Sequence, residues 1–170
     1  MATILSLNIY NIMSLSLGKQ FEEKFKEDFS RIEDISIDRL YDTTAGYKSI
    51  STVCDFICYH FPNEFYIECK AYTGNTFNFA KLTQYDKLLK KSGIKGVRAG
   101  VVLWMVDHDR VFYIPVSTVK QMKDDGKKSF NIKVVNDENP LYRVIEIPSK
   151  KKVKFMDSDY SVLFNLGEGD

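Results

Sequence analysis

Asp55-Phe56-Ile57-Cys58-Tyr59-His60-Phe61-Pro62-Asn63-Glu64-Phe65-Tyr66-Ile67-Glu68-Cys69-Lys70 is the stretch whose reading decides the fold. Residues 53–60 and 65–71 are rich in aromatic and branched side chains, and Phe61-Pro62-Asn63-Glu64 between them has the composition of a hairpin loop. Closing that loop with His60 opposite Phe65 sets Asp55 against Lys70 and Ile57 against Glu68. Residues opposite one another in an antiparallel pair point to the same side of the sheet. Asp55, Glu68 and Lys70 are therefore predicted on one face, with the two carboxylates diagonal at roughly 7–8 Å. Cys54, Cys58, Ile67 and Cys69 are predicted on the other.

Two carboxylates and an ammonium group among residues this apolar must be paired with one another or bound to metal. A Mg²⁺ held by Asp55, Glu68 and the Cys69 carbonyl would bind a phosphate oxygen and acidify a water, while Lys70 orients that water and offsets developing negative charge. That is a phosphodiesterase site in outline. Spacing alone leaves a second reading open, an ion pair between Lys70 and Glu68 or Asp55, because Asp followed at a distance by Glu-x-Lys is common by chance.

With 170 residues, 44% hydrophobic and 14% aromatic, the chain fits one domain that buries roughly 70% of its extended surface. Residues 1–17 are set apart as an uncharged, apolar arm suited to a dimer contact, leaving residues 18–170 as a single domain. No stretch reaches the ~18 apolar residues of a membrane span, and the start lacks the pattern of a signal peptide, so a cytoplasmic protein without a membrane partner is expected. A net charge of +1 means that any contact with nucleic acid must come from local basic patches and bound metal. The three cysteines, an odd number on adjacent strands, read as reduced thiols. Zinc is disfavoured, since Cys54 and Cys58 would lie roughly 13 Å apart along a strand.

Outward from the hairpin, Phe21, Phe25, Phe29 and Ile32 recur at helical spacing, with Glu22 at the border of the aromatic stripe. A carboxylate there reaches the next sheet, which makes Glu22 the candidate fourth site residue, against the blander reading of a solvated helix carboxylate. The polar, turn-rich stretch before Asp55 offers Arg39, Tyr47 and Lys48 as phosphate-facing or stacking groups. Phe79, Leu82, Tyr85, Leu88 and Leu89 set a second helix ending at Gly93, with Gln84 near its start and within reach of the metal face. Residues 101–106 and 111–115 read as strands joined by the turn Asp107-His108-Asp109-Arg110, whose acids and histidine are better explained as a polar tip than as metal ligands. A short helix is expected over 116–122, a basic patch at Lys123, Lys127 and Lys128, and a second hairpin formed by 142–147 and 153–155 around a lysine-rich tip.

The order of these elements resembles the PD-(D/E)xK nuclease superfamily, and within it the RecU-type Holliday junction resolvases of Gram-positive bacteria and their phages. The resemblance rests on Gly18-Lys19-Gln20-Phe21-Glu22, Ser51-Thr52-Val53-Cys54-Asp55, Ile67-Glu68-Cys69-Lys70, residues 77–84, Val111-Phe112-Tyr113-Ile114 and Lys127-Lys128-Ser129. It implies an α/β fold with a restriction-endonuclease-like mixed central sheet flanked by helices, acting as a homodimer on four-way DNA junctions with Mg²⁺, or Mn²⁺ as substitute. The family's metal ligands fall on Asp55 and Glu68, its lysine on Lys70, its helix glutamate on Glu22 and its glutamine on Gln84. Lys81 joins Lys48, Lys127 and Lys128 as an expected DNA contact. Two departures stand out: Cys54 replaces the family's proline or threonine, and only residues 34–50 occupy the interval where the family carries a long basic stalk.

Overall fold

Residues 16–45, 48–136 and 141–166 are described by a computed structural model. The phenylalanine stripe folds as α1 (Leu17–Phe29), started by Ser16, whose side chain accepts from the Lys19 N–H. A short β1 (Ser36–Arg39) and a small hairpin, β2 (Thr43–Ala45) with β3 (Lys48–Ile50), lead to β4 (Phe56–His60) and β5 (Asn63–Tyr72). Then follow β6 (Thr76–Asn78), α2 (Tyr85–Ser92), β7 (Val97–Met105), β8 (Arg110–Pro115) and α3 (Val116–Asp124). The chain continues with β9 (Ser129–Asn131), β10 (Ile145–Ile147), β11 (Ser149–Lys151) and β12 (Met156–Ser158).

Six strands form one sheet in the order β1-β4-β5-β7-β8-β10. Only β5 and β7 pair in parallel, across the long connection that carries α2, so the sheet is mixed as expected. Its two faces are both covered. On one side α2 and α3 bring Leu88, Val116, Val119 and Met122 onto Tyr66, Val101, Leu103 and Phe112. On the other, α1 and the C-terminal segment bring Phe25, Phe29, Tyr160 and Leu163 onto Phe56, Phe65, Ile67 and Trp104. Burial on both faces explains why β7 reads as an apolar run without alternation. Gly100 within it is required by close approach, since a Cβ there would stand 2.6 Å from the Ile114 carbonyl and 2.6 Å from the Tyr113 ring.

Several boundaries differ from the expectations. The second helix starts at Tyr85, after a separate helical turn at Phe79–Lys81, because Asn78 caps that turn through the Ala80 N–H. The segment around Ile145 does not form a hairpin with residues 153–155. Its β10 adds to the main sheet beside β8, with Ile147 against Val111, where Ile147 is buried and Ile145 half-buried. The C-terminal hairpin is instead β11 with β12, Lys151 facing Met156. The predicted arm lies outside the described residues up to 15, and Ser16 and Leu17 belong to the start of α1.

Candidate active site

The register of the central hairpin is two residues tighter than expected. His60 pairs with Asn63 and Phe56 with Ile67, which leaves Phe61 and Pro62 alone as the loop. Asn63 and Glu64 are strand despite their polarity, because Glu64 pairs with Tyr59 and donates its N–H to the Gly96 carbonyl at 2.8 Å. A slip of two preserves the side to which every residue points. It removes the expected Asp55–Lys70 opposition, since the last pair of the hairpin is Phe56 with Ile67 and Asp55 stands just ahead of β4. Cys54 precedes the strand and joins the cluster under α2 and α3, away from Cys58 and Cys69, which corrects its expected face.

Asp55 sits where β4 ends and β5 runs on alone against β7. Its N–H donates to the Ile67 carbonyl at 3.1 Å, and its Oδ2 accepts from the Cys69 N–H at 2.8 Å. In a strand the N–H and C=O of one residue point to the same edge. The Cys69 carbonyl is thereby directed toward the Asp55 side, beyond the last pairing with β4. Glu68 is 1% exposed; its Oε1 accepts from Lys70 Nζ at 2.6 Å, while its Oε2 is buried with no hydrogen-bond partner. Burial, reinforced by the Asp55 charge, raises the Glu68 carboxyl to about 7. Burial also raises Asp55, opposed by the Cys69 N–H and assisted by Glu22. Burial alone would lower Lys70, but the Glu68 carboxylate more than offsets it and holds the amine as ammonium.

Glu22 reaches this cluster from α1 and is itself buried. It is gripped by two cations: Lys19 Nζ donates to its Oε2 at 3.0 Å, and the Arg39 guanidinium, enclosed on β1, donates to both Glu22 and Glu23. Arg39 is therefore tied into the site from beneath, which corrects its expected role as a phosphate-facing loop residue. Lys19 went unassigned in the sequence, although its spacing of three from Glu22 on a helix is a readable signal. Gln84 stands at the N-terminus of α2, where its Oε1 accepts from Thr83 Oγ1. One turn on, Lys87 donates to the Ser51 and Thr52 carbonyls just upstream of Asp55, so this helix end adjoins the site without a side-chain contact from Gln84 to the carboxylates.

The remaining expected contacts divide. Tyr47 lies outside the described residues, and Lys48 opens β3 opposite Ala45. Lys81 and Lys128 come together, because the Phe79 N–H, two residues from Lys81, donates to the Lys128 carbonyl at 3.0 Å. Lys81 lies over the Tyr72 ring and Lys127 over the Tyr142 ring. Asp107, His108 and Asp109 are spent on Gly74, Asn75 and Lys151, as befits a turn. The three cysteine thiols are buried and free, and burial pushes Cys54 up to about 12.

Among the described residues no group of three or more His, Cys, Asp or Glu side chains forms a metal cage. Divalent-cation binding here would rest on Asp55, Glu68 and the Cys69 carbonyl, a hard oxygen set suited to Mg²⁺ or Mn²⁺. The orphaned Oε2 of Glu68 fits such a role, since a buried carboxylate oxygen without a donor is costly unless a cation satisfies it.

Among the described residues no helix is long and apolar enough to cross a membrane. No protein-family model matches the chain, and no curated protein does. Among solved structures, the chain is similar to Hjc, a Holliday junction resolvase from the archaeal hyperthermophile Archaeoglobus fulgidus, at 16% identity and a TM-score of 0.46, over 59% of this chain and 78% of that one.

Proposed function

We propose that this protein is a metal-dependent DNA endonuclease of the PD-(D/E)xK kind. The observation that carries the reading is Asp55 at the entrance to β4, bonded through Oδ2 to the Cys69 N–H, with the adjacent buried Glu68 Oε2 lacking a partner and Lys70 on the same side of β5 as Glu68. Asp55, Glu68 and the Cys69 carbonyl would hold the cation. When bound, Mg²⁺ supplies Lewis acidity at a phosphodiester oxygen and acidifies a water. Lys70, kept as ammonium, orients the attacking water and offsets charge as the phosphorane-like transition state develops. Arg39 and Lys19 hold Glu22 in place on α1, from where its charge acts on Asp55 and Glu68. Burial of the cluster keeps these interactions in a low dielectric, where each is worth more.

The substrate we assign is branched DNA, most directly the four-way junction, cut by a homodimer. Two symmetric nicks on strands of like polarity need two sites at a fixed separation, which a C₂ dimer supplies. The short interval between α1 and β4, spanned only by β1 and the β2–β3 hairpin, favours a second reading in which duplex or flapped DNA is cut as well. A panel of synthetic junctions, linear duplexes and flaps in Mg²⁺, with light scattering on the same preparation, separates the two. A dimer that cuts junctions at least tenfold faster than duplex supports the first. A monomer that cuts both equally supports the second, and a protein that cuts none contradicts the nuclease reading.

A further inference from the structure

The β11–β12 hairpin ends in Lys150-Lys151-Lys152-Val153-Lys154, all exposed, with Val153 97% exposed at the tip. Pairing of Lys151 with Met156 and the Lys152 N–H to Phe155 carbonyl bond of 2.8 Å leave Val153 and Lys154 as a two-residue loop. Such loops favour Asn, Asp and Gly, commonly with φ above zero. Neither residue here is of that kind, and neither has a positive φ. Turn geometry therefore does not explain a branched apolar residue flanked by lysines, and local departures of this sort concentrate at functional positions.

The hairpin is held along α1. At its base the Ser158 N–H donates to Asp28 Oδ2 at 3.0 Å, and Asp157 accepts from Lys24 at 3.1 Å and from Arg31. Toward its tip Phe155 meets Trp104 at 5.8 Å between ring centroids, and Trp104 meets Phe21 at 5.6 Å. Phe21 is the residue before Glu22, and Trp104 is in register with Ala71, the residue after Lys70. Lys151 pairs with Asp109, just beyond the end of β7 at which β5 carries Glu68 and Lys70. The tip therefore projects at the end of the sheet that carries Glu68 and Lys70, on the α1 face opposite those two side chains, buttressed by three aromatic rings.

We propose that this hairpin is a DNA wedge: Lys152 and Lys154 grip the phosphates of two strands while Val153 enters a base step and unstacks it at the branch point. Apolar side chains flanked by cations that open a step in this way are a general solution to binding bent or branched DNA. The inference rests on the nuclease reading for its substrate, and it assigns to this hairpin the distortion of DNA at the branch point. It is tested on the full chain carrying Asp55→Asn, without divalent metal, by anisotropy and by fluorescence of 2-aminopurine placed at the centre of a four-way junction. Val153→Gly should abolish the fluorescence rise with affinity changed less than about threefold. Lys152→Ala with Lys154→Ala should weaken binding about tenfold or more and reduce the salt slope by roughly 2. Thermal melts should leave both variants as stable as the parent, since the tip is exposed. Unchanged fluorescence in the first, or unchanged affinity and salt slope in the second, overturns the wedge and leaves the nuclease reading standing. Losses as expected in a protein whose unsubstituted form cuts no DNA in Mg²⁺ support the wedge and overturn the nuclease reading alone.

Discussion

Replacing Glu68 with Gln should stabilise the metal-free protein while destroying the site. The Glu68 carboxyl is raised from 4.5 to about 7 by burial and by the Asp55 charge. At 1.36 kcal/mol for each tenfold change in proton affinity, that rise is about 3 kcal/mol of destabilisation once the group is ionised. The sign follows from linkage: a raised carboxyl contributes stability that is whole below pH 4.5 and is lost as pH rises through about 7. An amide does not titrate and, like the protonated acid, keeps an oxygen for Lys70 Nζ, so it stands in for the neutral form. The gain at pH 8 is therefore about 3 kcal/mol, or about 6–12 °C in Tm for a chain of this size. Melts of both proteins in EDTA at pH 5 and pH 8 read the difference directly, titrating groups away from the site cancelling between them. The difference should shrink at pH 5, where wild-type Glu68 holds its proton. A variant less stable than wild type at pH 8, or a difference equal at both pH values, would refute a buried Glu68 carboxyl whose ionisation is costly. Added Mg²⁺ should raise the wild-type Tm and leave the variant unmoved.

Arg39→Ala should lower cleavage by about 10–100-fold with little change in KM, because Glu22 and Glu23 lose the group that fixes them, and Arg39→Lys should restore only part of it. Lys70→Ala should lower kcat about 10²-fold or more in single-turnover assays, and an unchanged rate would leave Lys70 as an ion-pair partner of Glu68 alone. Gly100→Ala should cost about 1–3 kcal/mol in denaturant titration, since the added methyl meets the Ile114 carbonyl and the Tyr113 ring, both held within the sheet.

The face that carries Glu68 and Lys70 was legible because side chains alternate along a strand, so an error of two in register moved no residue within β4 or β5 to the wrong side, whereas Cys54, ahead of β4, falls outside that alternation. The register itself was not legible, because Asn63 and Glu64 carry loop-like side chains and are held in the strand by pairing with His60 and Tyr59 and by the Glu64 N–H bond to the Gly96 carbonyl, a partner far off in sequence. Glu22 could be singled out from its place on the α1 stripe, whereas the role of Arg39 depends on β1 lying against α1, a tertiary fact without a local pattern. The path of the C-terminal strands was misread for a related reason. Residues 145–147 and 153–155 have equal claims to a hairpin by composition, and the vacant edge of β8, which claims the first of them, exists only once the sheet is assembled.

The central claim, that Asp55 and Glu68 together carry metal-dependent strand scission, is tested most directly by single-turnover cleavage of a labelled four-way junction. Wild-type protein, Asp55→Asn and Glu68→Gln are compared in Mg²⁺, in Mn²⁺ and in EDTA, with junction binding measured in Ca²⁺ on the same samples. The account predicts cleavage by wild type in Mg²⁺ and Mn²⁺ only, and none by either variant even though both still bind DNA, because phosphate contacts come mainly from lysines. Cleavage in EDTA, or by either variant at the wild-type rate, would contradict it.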